Sequence, residues 1–453
     1  MWSKGKLVLL VLVIIVVFGA PSLCGQTTIQ RSAEGLIYDL KNPDVPTRVN
    51  AAREIGRNKL RQAVPALIEA SEDPDVSVRV EVTRALVAID DPRALSAFVR
   101  LCHDPGDKRI QQDAIKGIVQ IYTNPQGGFT ADMKKAVDFL NPLSDGYNPL
   151  MVESYVPVSQ EAVTALSDLL FTDDKGLRKN AAVALGILRA QGALPAIKEA
   201  LGKETEDDVK VELIWAVYKI GDRSAGETLL PFVRDPDKRV HDEAILVLGR
   251  LRVKEAIPVL TELYTSGVEE KKKMWGLVPV TGSDDLQKKI LESLAYIGDP
   301  QSNDIFEGAL SDERSHFRRF GAEGLGRSKS ESHLSLIAKK YLREDSSDVK
   351  LAMGFALFRL GREEHLVELV DNAQKDQAYY YLLEFEPEEV KALYPYVQTE
   401  KKAIRIRLID VLGLRGDASA IPLVEEMSSS EDADIASSAN VALRRLRARQ
   451  QSA

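Results

Sequence analysis

The chain has few cysteines and few aromatic residues. Its 453 residues include 2 cysteines, Cys24 and Cys102, and aromatic side chains make up 6%. Small disulfide-stabilised scaffolds contain far more cysteine, so packing alone must hold this fold together. Hydrophobic residues still make up 44% of the chain, and these favour cores of Ala, Leu, Ile and Val packed between helices.

Sequence motifs of catalysis and metal binding are also missing. The 5 histidines are scattered, and no two of them have the spacing of zinc ligands on one helix. The chain has neither a Gly-x-Ser-x-Gly nucleophile elbow nor a phosphate-binding P-loop. We therefore predict a protein that is not an enzyme and that uses no metal and no cofactor.

The charge balance argues against nucleic acid as a partner. The chain has 60 Lys and Arg against 68 Asp and Glu, which gives a net charge of −8. Sequence-independent binding of nucleic acid depends on cations that neutralise phosphates. We therefore predict no nucleic-acid partner.

Residues 1–25 have the order of a secretory signal peptide. Two lysines precede an uninterrupted apolar run over residues 7–18, and small residues follow up to Gly25. A bilayer-spanning helix needs about 20 apolar residues, which is more than this run provides. We predict cleavage near Gly25 and export to the periplasm or the extracellular side of a bacterial envelope.

Two alternatives remain open for this segment. It could stay uncleaved as a membrane anchor, or Cys24 could be lipidated. Lipidation fits the residues poorly, because lipoprotein signals usually place a small residue directly before the cysteine and Leu23 stands there. A membrane partner is expected only in one of these two cases.

A repeated frame runs along the rest of the chain. Each copy has an anchor residue, mostly basic or polar, followed by a small or apolar residue three positions later and an apolar residue seven positions later. Most steps between anchors are 31 or 32 residues. Such a period indicates stacked repeats that bury their apolar faces against their neighbours. The anchors are Arg48, Arg79, Gln111, Arg178, Lys210, His241, Gln287, Arg318, Lys350, Arg405 and Ala436.

Each unit is predicted to contain two antiparallel helices joined by a short turn, a first helix that carries the anchor and a second helix after it. Small and apolar residues form one stripe of the first helix. Glycine at plus eight is expected to admit close helix packing, glycine at plus eleven to end the first helix in a left-handed conformation, and proline at plus seventeen to open the second helix.

Aspartate is expected to cap the first helix from a position four residues before the anchor. The residues at this position are Asp44, Asp75, Asp107, Asp174, Asp237 and Asp432. In three other units an aspartate lies two residues before the anchor and is expected to serve the same purpose. These are Asp208, Asp285 and Asp348.

The frame Asp44…Arg48-Val49…Ala51…Ile55-Gly56…Pro65, which recurs around Arg178 and Arg405, resembles HEAT repeats. The likeness is to the short repeats of roughly 31 residues that phycobilisome lyases also contain. It implies an all-α fold, a right-handed α-solenoid of stacked antiparallel helix pairs (a HEAT/armadillo-like superhelix), in one body over residues 26–453. It also implies that the anchor cations pair with acidic groups of adjacent repeats. Di-iron hydroxylases with this fold need repeated His-Glu pairs, which this chain lacks.

Three irregular segments interrupt the array, over residues 123–160, 265–283 and 372–400. Insertions in repeat proteins map to loops, and loops carry specific contacts. A helix is predicted over residues 131–139 in the first of them. In the second, residues 266–280 are interpreted as a candidate partner-binding loop, or as a segment that folds over the flank of the array. The candidate partner contacts are Met274, Trp275, Leu277, Tyr379, Tyr380 and Tyr381, because Trp, Tyr and Met are enriched in interfaces.

These observations predict an exported scaffold or adaptor that binds a protein or peptide along a concave face lined by the second helices. One alternative is a lyase-like or cofactor-handling protein, although no acid, base or metal cluster supports it. Another is a structural component of the envelope, tethered by an uncleaved N-terminus.

Overall fold

The computed structural model describes residues 32–123, 151–153, 155–274, 282–399 and 401–452. The side chains of 267–274, 282, 283 and 452 are outside that description. The signal segment and the predicted helix over 131–139 also lie outside it. The chain divides into two compact units, Met1–Ile89 and Asp90–Ala453, so the prediction of one continuous body stays a prediction.

The described residues form α-helices and short 3-10 turns, with no β-strand among them. The first helices, which carry the anchors, are α2 (Val45–Arg57), α4 (Val76–Ile89), α6 (Lys108–Thr123), α8 (Lys175–Ile187), α10 (Asp207–Ile220), α11 (Lys238–Arg250), α13 (Gly282–Ile297), α15 (Ser315–Arg327), α17 (Ser347–Arg359), α21 (Lys402–Arg415) and α23 (Ala433–Ser452). The prediction of an all-α fold of stacked helix pairs is confirmed.

The remaining helices are mostly the second helices. They are α1 (Ala33–Asp39), α3 (Val64–Ala70), α5 (Leu95–Leu101), α7 (Gln160–Asp168), α9 (Leu194–Lys203), α12 (Ile257–Met274), α14 (Asn303–Ala309), α16 (Leu334–Tyr341), α18 (Leu366–Asp371), α19 (Asp376–Leu382), α20 (Pro387–Val390) and α22 (Ile421–Ser428). The 3-10 segments are Arg61–Ala63, Pro92–Ala94, Leu169–Phe171, Gln191–Ala193, Arg223–Arg234, Lys254–Ala256, Pro300–Ser302, Glu331–His333, Glu363–His365, Lys391–Tyr396 and Ala418–Ala420.

The predicted aspartate caps are present at the start of the first helices. The carboxylate of Asp44 accepts a hydrogen bond from the Thr47 amide at 3.0 Å, and Asp174 accepts one from the Leu177 amide at 3.0 Å. These bonds satisfy amides that have no partner within the helix. The prediction for the second group was wrong. Asp208, Asp285 and Asp348 lie inside the first turn of their helices, where the helix dipole favours a carboxylate but no cap is formed.

Most of the first helices end in a left-handed residue at plus eleven, whether or not that residue is glycine. Gly221 has φ = 80°, and Lys59 adopts φ = 51° at the same position of its own unit. The left-handed positions are Lys59, Asp90, Arg189, Gly221, Arg252, Gly298, Lys329 and Gly361. The prediction for Gly221, Gly298 and Gly361 is confirmed, and five other units adopt this turn without glycine. The turn is not universal, because Gly416 after α21 has φ = −68°. Proline then opens several second helices as predicted, Pro65 in α3 for example.

Glycine at plus eight marks direct contact between the first helices of successive units. A Cβ atom on Gly326 would lie 2.7 Å from the Cα of Ala356, and one on Gly56 would lie 2.7 Å from the Cα of Ala85. The first helices pack against one another in the pairs α2 with α4, α8 with α10, α11 with α13, α15 with α17, and α21 with α23. The prediction of close helix packing at this position is therefore confirmed.

The anchor arginine joins the turns on either side of its unit. Arg318 donates through Nη1 to the carbonyl oxygens of Asp312 and Glu313, and through Nε and Nη2 to the carboxylate of Glu344 at 2.8 Å. Glu344 also accepts a bond from the Ser346 amide, and its pKa is lowered chiefly by the hydrogen bond from Arg318. Arg48 with Asp73 and Arg178 with Glu204 repeat this pattern. The pairing that the HEAT likeness implied is confirmed at these anchors.

Candidate functional site

The first helices of Asp90–Ala453 present a stripe of charged side chains, at plus five and plus nine of the repeat frame, that we call the inner face. Its ion pairs connect units that are far apart in the chain. Arg252, at the end of one unit, donates to Glu384 at 2.7 Å across 132 positions. Arg327 donates to the same carboxylate at 2.8 Å across 57 positions. Such distant units can meet only on the inside of a curve, so the first helices line the concave side of this unit. The prediction that second helices line it was wrong.

Glu323 forms the centre of the inner face. It is 2% exposed, and its carboxylate accepts hydrogen bonds from Arg319 at 2.8 Å, Arg327 at 3.1 Å and the Tyr381 hydroxyl at 2.5 Å. A buried carboxylate needs this degree of pairing, because an unpaired charge in a protein interior is strongly destabilising. Burial, together with Glu323, raises the pKa of Tyr381 well above its usual value.

The inner face continues to the C-terminal helix. Tyr379 donates from its hydroxyl to Asp410, which also pairs with Arg445. Arg445 donates in addition to Glu153 at 2.6 Å, across 292 positions. Next to Glu153, the Val152 amide donates to the carbonyl of Ile187 at 2.8 Å. The described part of the first irregular segment therefore lies along the inner face and ties it to the C-terminal helix.

Several pKa values on the inner face are shifted, and burial is the main cause. Burial alone would raise the pKa of Glu384, but the charges of Arg327 and Arg252 outweigh it and lower that pKa. Burial raises the pKa values of Glu243 and Glu292, and it lowers the pKa of Lys219 to about 8. The shifts follow from burial and from the ion pairs described above.

The predicted partner contacts fall into two groups. The three tyrosines belong to α19. Tyr379 and Tyr381 are 8% and 2% exposed and donate hydrogen bonds to acidic residues of the inner face, whereas Tyr380 is 58% exposed. The first two are therefore unavailable as surface contacts, and a partner contact of Tyr380 stays a prediction. Trp275 and Leu277 lie outside the described residues. Helix α12 extends to Met274, so the predicted loop over 266–280 is wrong for residues 266–274.

The sequence contains a signal for the inner face that the repeat analysis missed. In the anchor frame, plus five carries the acids Glu292, Glu323 and Asp410. Plus nine carries Arg250, Arg327, Arg359 and Arg445. These charged residues recur with the same period as the apolar stripe, and a search for charge as well as apolar periodicity would have found them.

A surface groove opens between α14, α15, α16 and α17, and we call it the basic groove. Its volume is about 450 Å³. Leu336 is its partly exposed apolar residue, and Leu310 and Met353 also border it but are buried. Its basic lining comes from Lys339, Lys340 and Arg343. The ion pair of Arg318 with Glu344 forms one wall. Leu342, between two of these cations in sequence, is 81% exposed.

Two findings concern metal binding and membrane crossing. Within the ranges that the structure describes, no three His, Cys, Asp or Glu side chains are grouped so that they could hold a metal ion. In the same ranges, no helix combines the length and the hydropathy that crossing a membrane requires.

The repeating helix pairs, their anchor ion pairs and their glycine contacts define the class of an α-helical repeat protein. A sequence model of the family described as HEAT repeats matches residues 33–118, 157–217 and 203–275. The chain is a HEAT-repeat protein. The narrower likeness to repeats of the phycobilisome-lyase type stays a prediction.

Solved structures with a similar fold share little sequence with this chain. One engineered protein is 18% identical, with a TM-score of 0.43, over 92% of this chain and 98% of its own. The Escherichia coli protein YibA is 15% identical, with a TM-score of 0.38, over 66% of this chain and 93% of its own. A second engineered protein is 17% identical, with a TM-score of 0.28, over 66% of this chain and 97% of its own. No curated protein matches the chain.

Proposed function

We propose that this HEAT-repeat protein is an exported, non-catalytic scaffold that binds a protein partner through the basic groove. The groove is the observation that carries the proposal. It combines the partly exposed Leu336 with three cations, and Leu342, the sequence neighbour of Arg343, is 81% exposed. Apolar side chains exposed next to polar rims are typical of protein interaction sites.

The inner face is a weaker candidate for the partner site. Glu323 and Glu384 already pair with Arg327, and Glu323, Tyr379 and Tyr381 are buried. A ligand there would have to break the ion pairs of Glu384 and Glu323, which is costly for buried charges. The basic groove can receive a partner without breaking any of these contacts.

Binding is tested with the purified mature protein as bait in affinity capture from envelope extract of the producing organism. The control bait carries Val367→Ser, a change at an apolar residue that is 46% exposed and does not line the groove. We expect a partner that is enriched on the wild-type and control baits and reduced on a Leu342→Ser bait. Equal recovery on all three baits, or no enriched protein, would contradict a binding role for the groove.

Export is tested by sequencing the N-terminus of the mature protein. The order of charged, apolar and small residues over 1–25 supports cleavage near Gly25. A mature chain that begins there supports an exported scaffold. A chain that begins at Met1 would mean that the segment remains attached as an anchor.

A further inference from the structure

Three cations of the basic groove have no carboxylate partner among the described residues. The groove's other cation, Arg318, is neutralised by Glu344 at 2.8 Å. Lys339, Lys340 and Arg343 form no such pair in the part of the chain that the structure describes. The chain as a whole carries a net charge of −8, and these three cations around one opening make that surface locally basic.

A comparison of second helices shows that the charge at this position varies. The sixth residue is Glu69 in α3, Glu199 in α9 and Glu262 in α12, whereas it is Arg100 in α5 and Lys339 in α16. In α9 the equivalent glutamate pairs with Lys203 at 2.6 Å. Helix α16 contains no acidic residue at all. Lys339 and Lys340 therefore have no partner within their own helix.

The helix dipole gives a partial explanation of these lysines. Lys339 and Lys340 lie in the last turn of α16, where a cation is favoured by the helix dipole. That effect does not account for Arg343 beyond the helix, for the partly exposed Leu336 in the groove, or for the exposure of Leu342. The three cations and Leu336 share one opening, and a single ligand can contact both.

We propose that the basic groove binds an acidic segment of a protein partner, with carboxylates on Lys339, Lys340 and Arg343 and an apolar side chain on the partly exposed Leu336. This inference rests on the proposed scaffold function and names the chemistry of its partner. Charge complementarity decides the occupant. A basic or neutral segment would leave the three cations unpaired. A carboxylate-bearing segment neutralises them, and the attraction between opposite charges raises its association rate constant.

The test uses defined peptides and the full mature chain. The probe is a fluorescent peptide of alternating Glu and Leu, compared with one that has Gln for Glu and one that has Ser for Leu, and binding is followed by fluorescence anisotropy. We expect the Glu and Leu peptide to bind and each comparison peptide to bind at least about tenfold more weakly. The binding constant should also fall as salt is raised, because exposed charge pairs are screened.

The protein variants provide the matched control. The groove variant has Glu in place of Lys339, Lys340 and Arg343, which reverses the charge of the groove. The control variant has Glu in place of Lys198, Lys375 and Arg444, which makes the same change in net charge at exposed positions elsewhere. The groove variant should bind the Glu and Leu peptide at least about tenfold more weakly, and the control variant within about twofold of wild type. Circular dichroism confirms that both variants are folded.

Two results would overturn the inference. One is equal weakening by the two triple variants, which would mean that total charge and not the groove attracts the peptide. The other is unchanged binding of the Gln peptide.

Capture with the same baits separates this inference from the proposed function. If a partner is lost with Leu342→Ser but kept with the reversed groove, the scaffold role stands and the acidic ligand is wrong. If no bait captures a partner, the scaffold role itself fails.

Discussion

Arg252 and Glu384 form an ion pair at 2.7 Å although 132 positions separate them in the chain. The pair connects the end of α11 with the turn after α19, and α19 belongs to a segment where the repeat period breaks. The irregular segment therefore contributes Tyr379, Tyr381 and Glu384 to the inner face. Its departure from the repeat has a structural reason, so irregularity alone does not mark a partner site in this protein.

Glu384→Gln is expected to destabilise the unit Asp90–Ala453. The amide keeps the shape of the side chain but leaves Arg252 without a carboxylate and Arg327 with Glu323 alone. Loss of one partner of a buried ion pair typically costs about 3 to 5 kcal/mol. Urea unfolding followed by circular dichroism measures the change.

Glu425→Gln is the matched control for that experiment. Glu425 pairs with Arg447 at 2.7 Å, and both side chains are about half exposed. Exposed pairs contribute about 0 to 1 kcal/mol, so this variant should unfold close to wild type. Equal losses in the two variants would mean that the inner face is no more important for stability than the surface.

Gly326→Ala and Gly308→Ala should have effects of opposite sign. The new Cβ on Gly326 would lie 2.7 Å from the Ala356 Cα, so the backbones of α15 and α17 must separate. Overpacking of this kind costs about 1 to 3 kcal/mol. Gly308 is also helical, but no atom lies within 4 Å of its added Cβ, and alanine there should stabilise by up to about 1 kcal/mol. Thermal unfolding of the two variants measures whether each substitution lowers or raises stability. Stabilisation by Gly326→Ala would contradict the close packing of α15 against α17.

Lys219→Met is expected to stabilise the protein near neutral pH. Burial lowers the native pKa of Lys219 to about 8 from 10.5. The native state then binds fewer protons than the unfolded state between these values, so the contribution of Lys219 to stability rises with pH across that window. Each pKa unit corresponds to about 1.4 kcal/mol, so the variant should gain about 2 to 4 kcal/mol below pH 8.

The difference between variant and wild type should shrink as pH rises from about 8 to 10.5. Denaturant unfolding at several pH values measures this, with Lys198→Met as the exposed control, since Lys198 is exposed in α9. A stability difference that stays constant across the window would show that Lys219 does not titrate differently in the folded protein.

The thiol of Cys102 should resist alkylation in the native protein. Cys102 is buried and free, and burial raises the pKa of its thiol to about 12. The reactive thiolate is therefore scarce and inaccessible at neutral pH. After unfolding, one thiol per chain should react if the signal segment is removed after Cys24. Mass spectrometry counts the adducts. Fast native labelling would contradict the burial, and two adducts after unfolding would contradict the cleavage.

Local features of the fold could be predicted from sequence because each depends on neighbours within one or two units. Asp174 at a helix start, Pro65 in a first turn and Gly326 between packed helices each follow from a local rule. The likeness to HEAT repeats likewise implied that Arg318 pairs with an acidic group of an adjacent repeat. These contacts recur with the unit, so the pattern contains them.

The inner face could not be predicted in the same way, because its contacts join units that are not adjacent. The period says nothing about which units meet across a curve, so the partners of Glu384 and the position of Glu153 beside Arg445 were not predicted. The left-handed turn at Lys59 was missed because glycine was taken as its marker. The basic groove could not be predicted from the period, because a cation stands at the position of Lys339 in another second helix too, as Arg100 in α5.

The most direct test of the central claim is the amount of partner recovered by affinity capture on three baits. These are the wild-type mature chain, the variant with Lys339, Lys340 and Arg343 changed to Glu, and the variant with Lys198, Lys375 and Arg444 changed to Glu. A scaffold that binds through the basic groove predicts full recovery on the first and third baits and loss on the second. The same recovery on all three baits would contradict it.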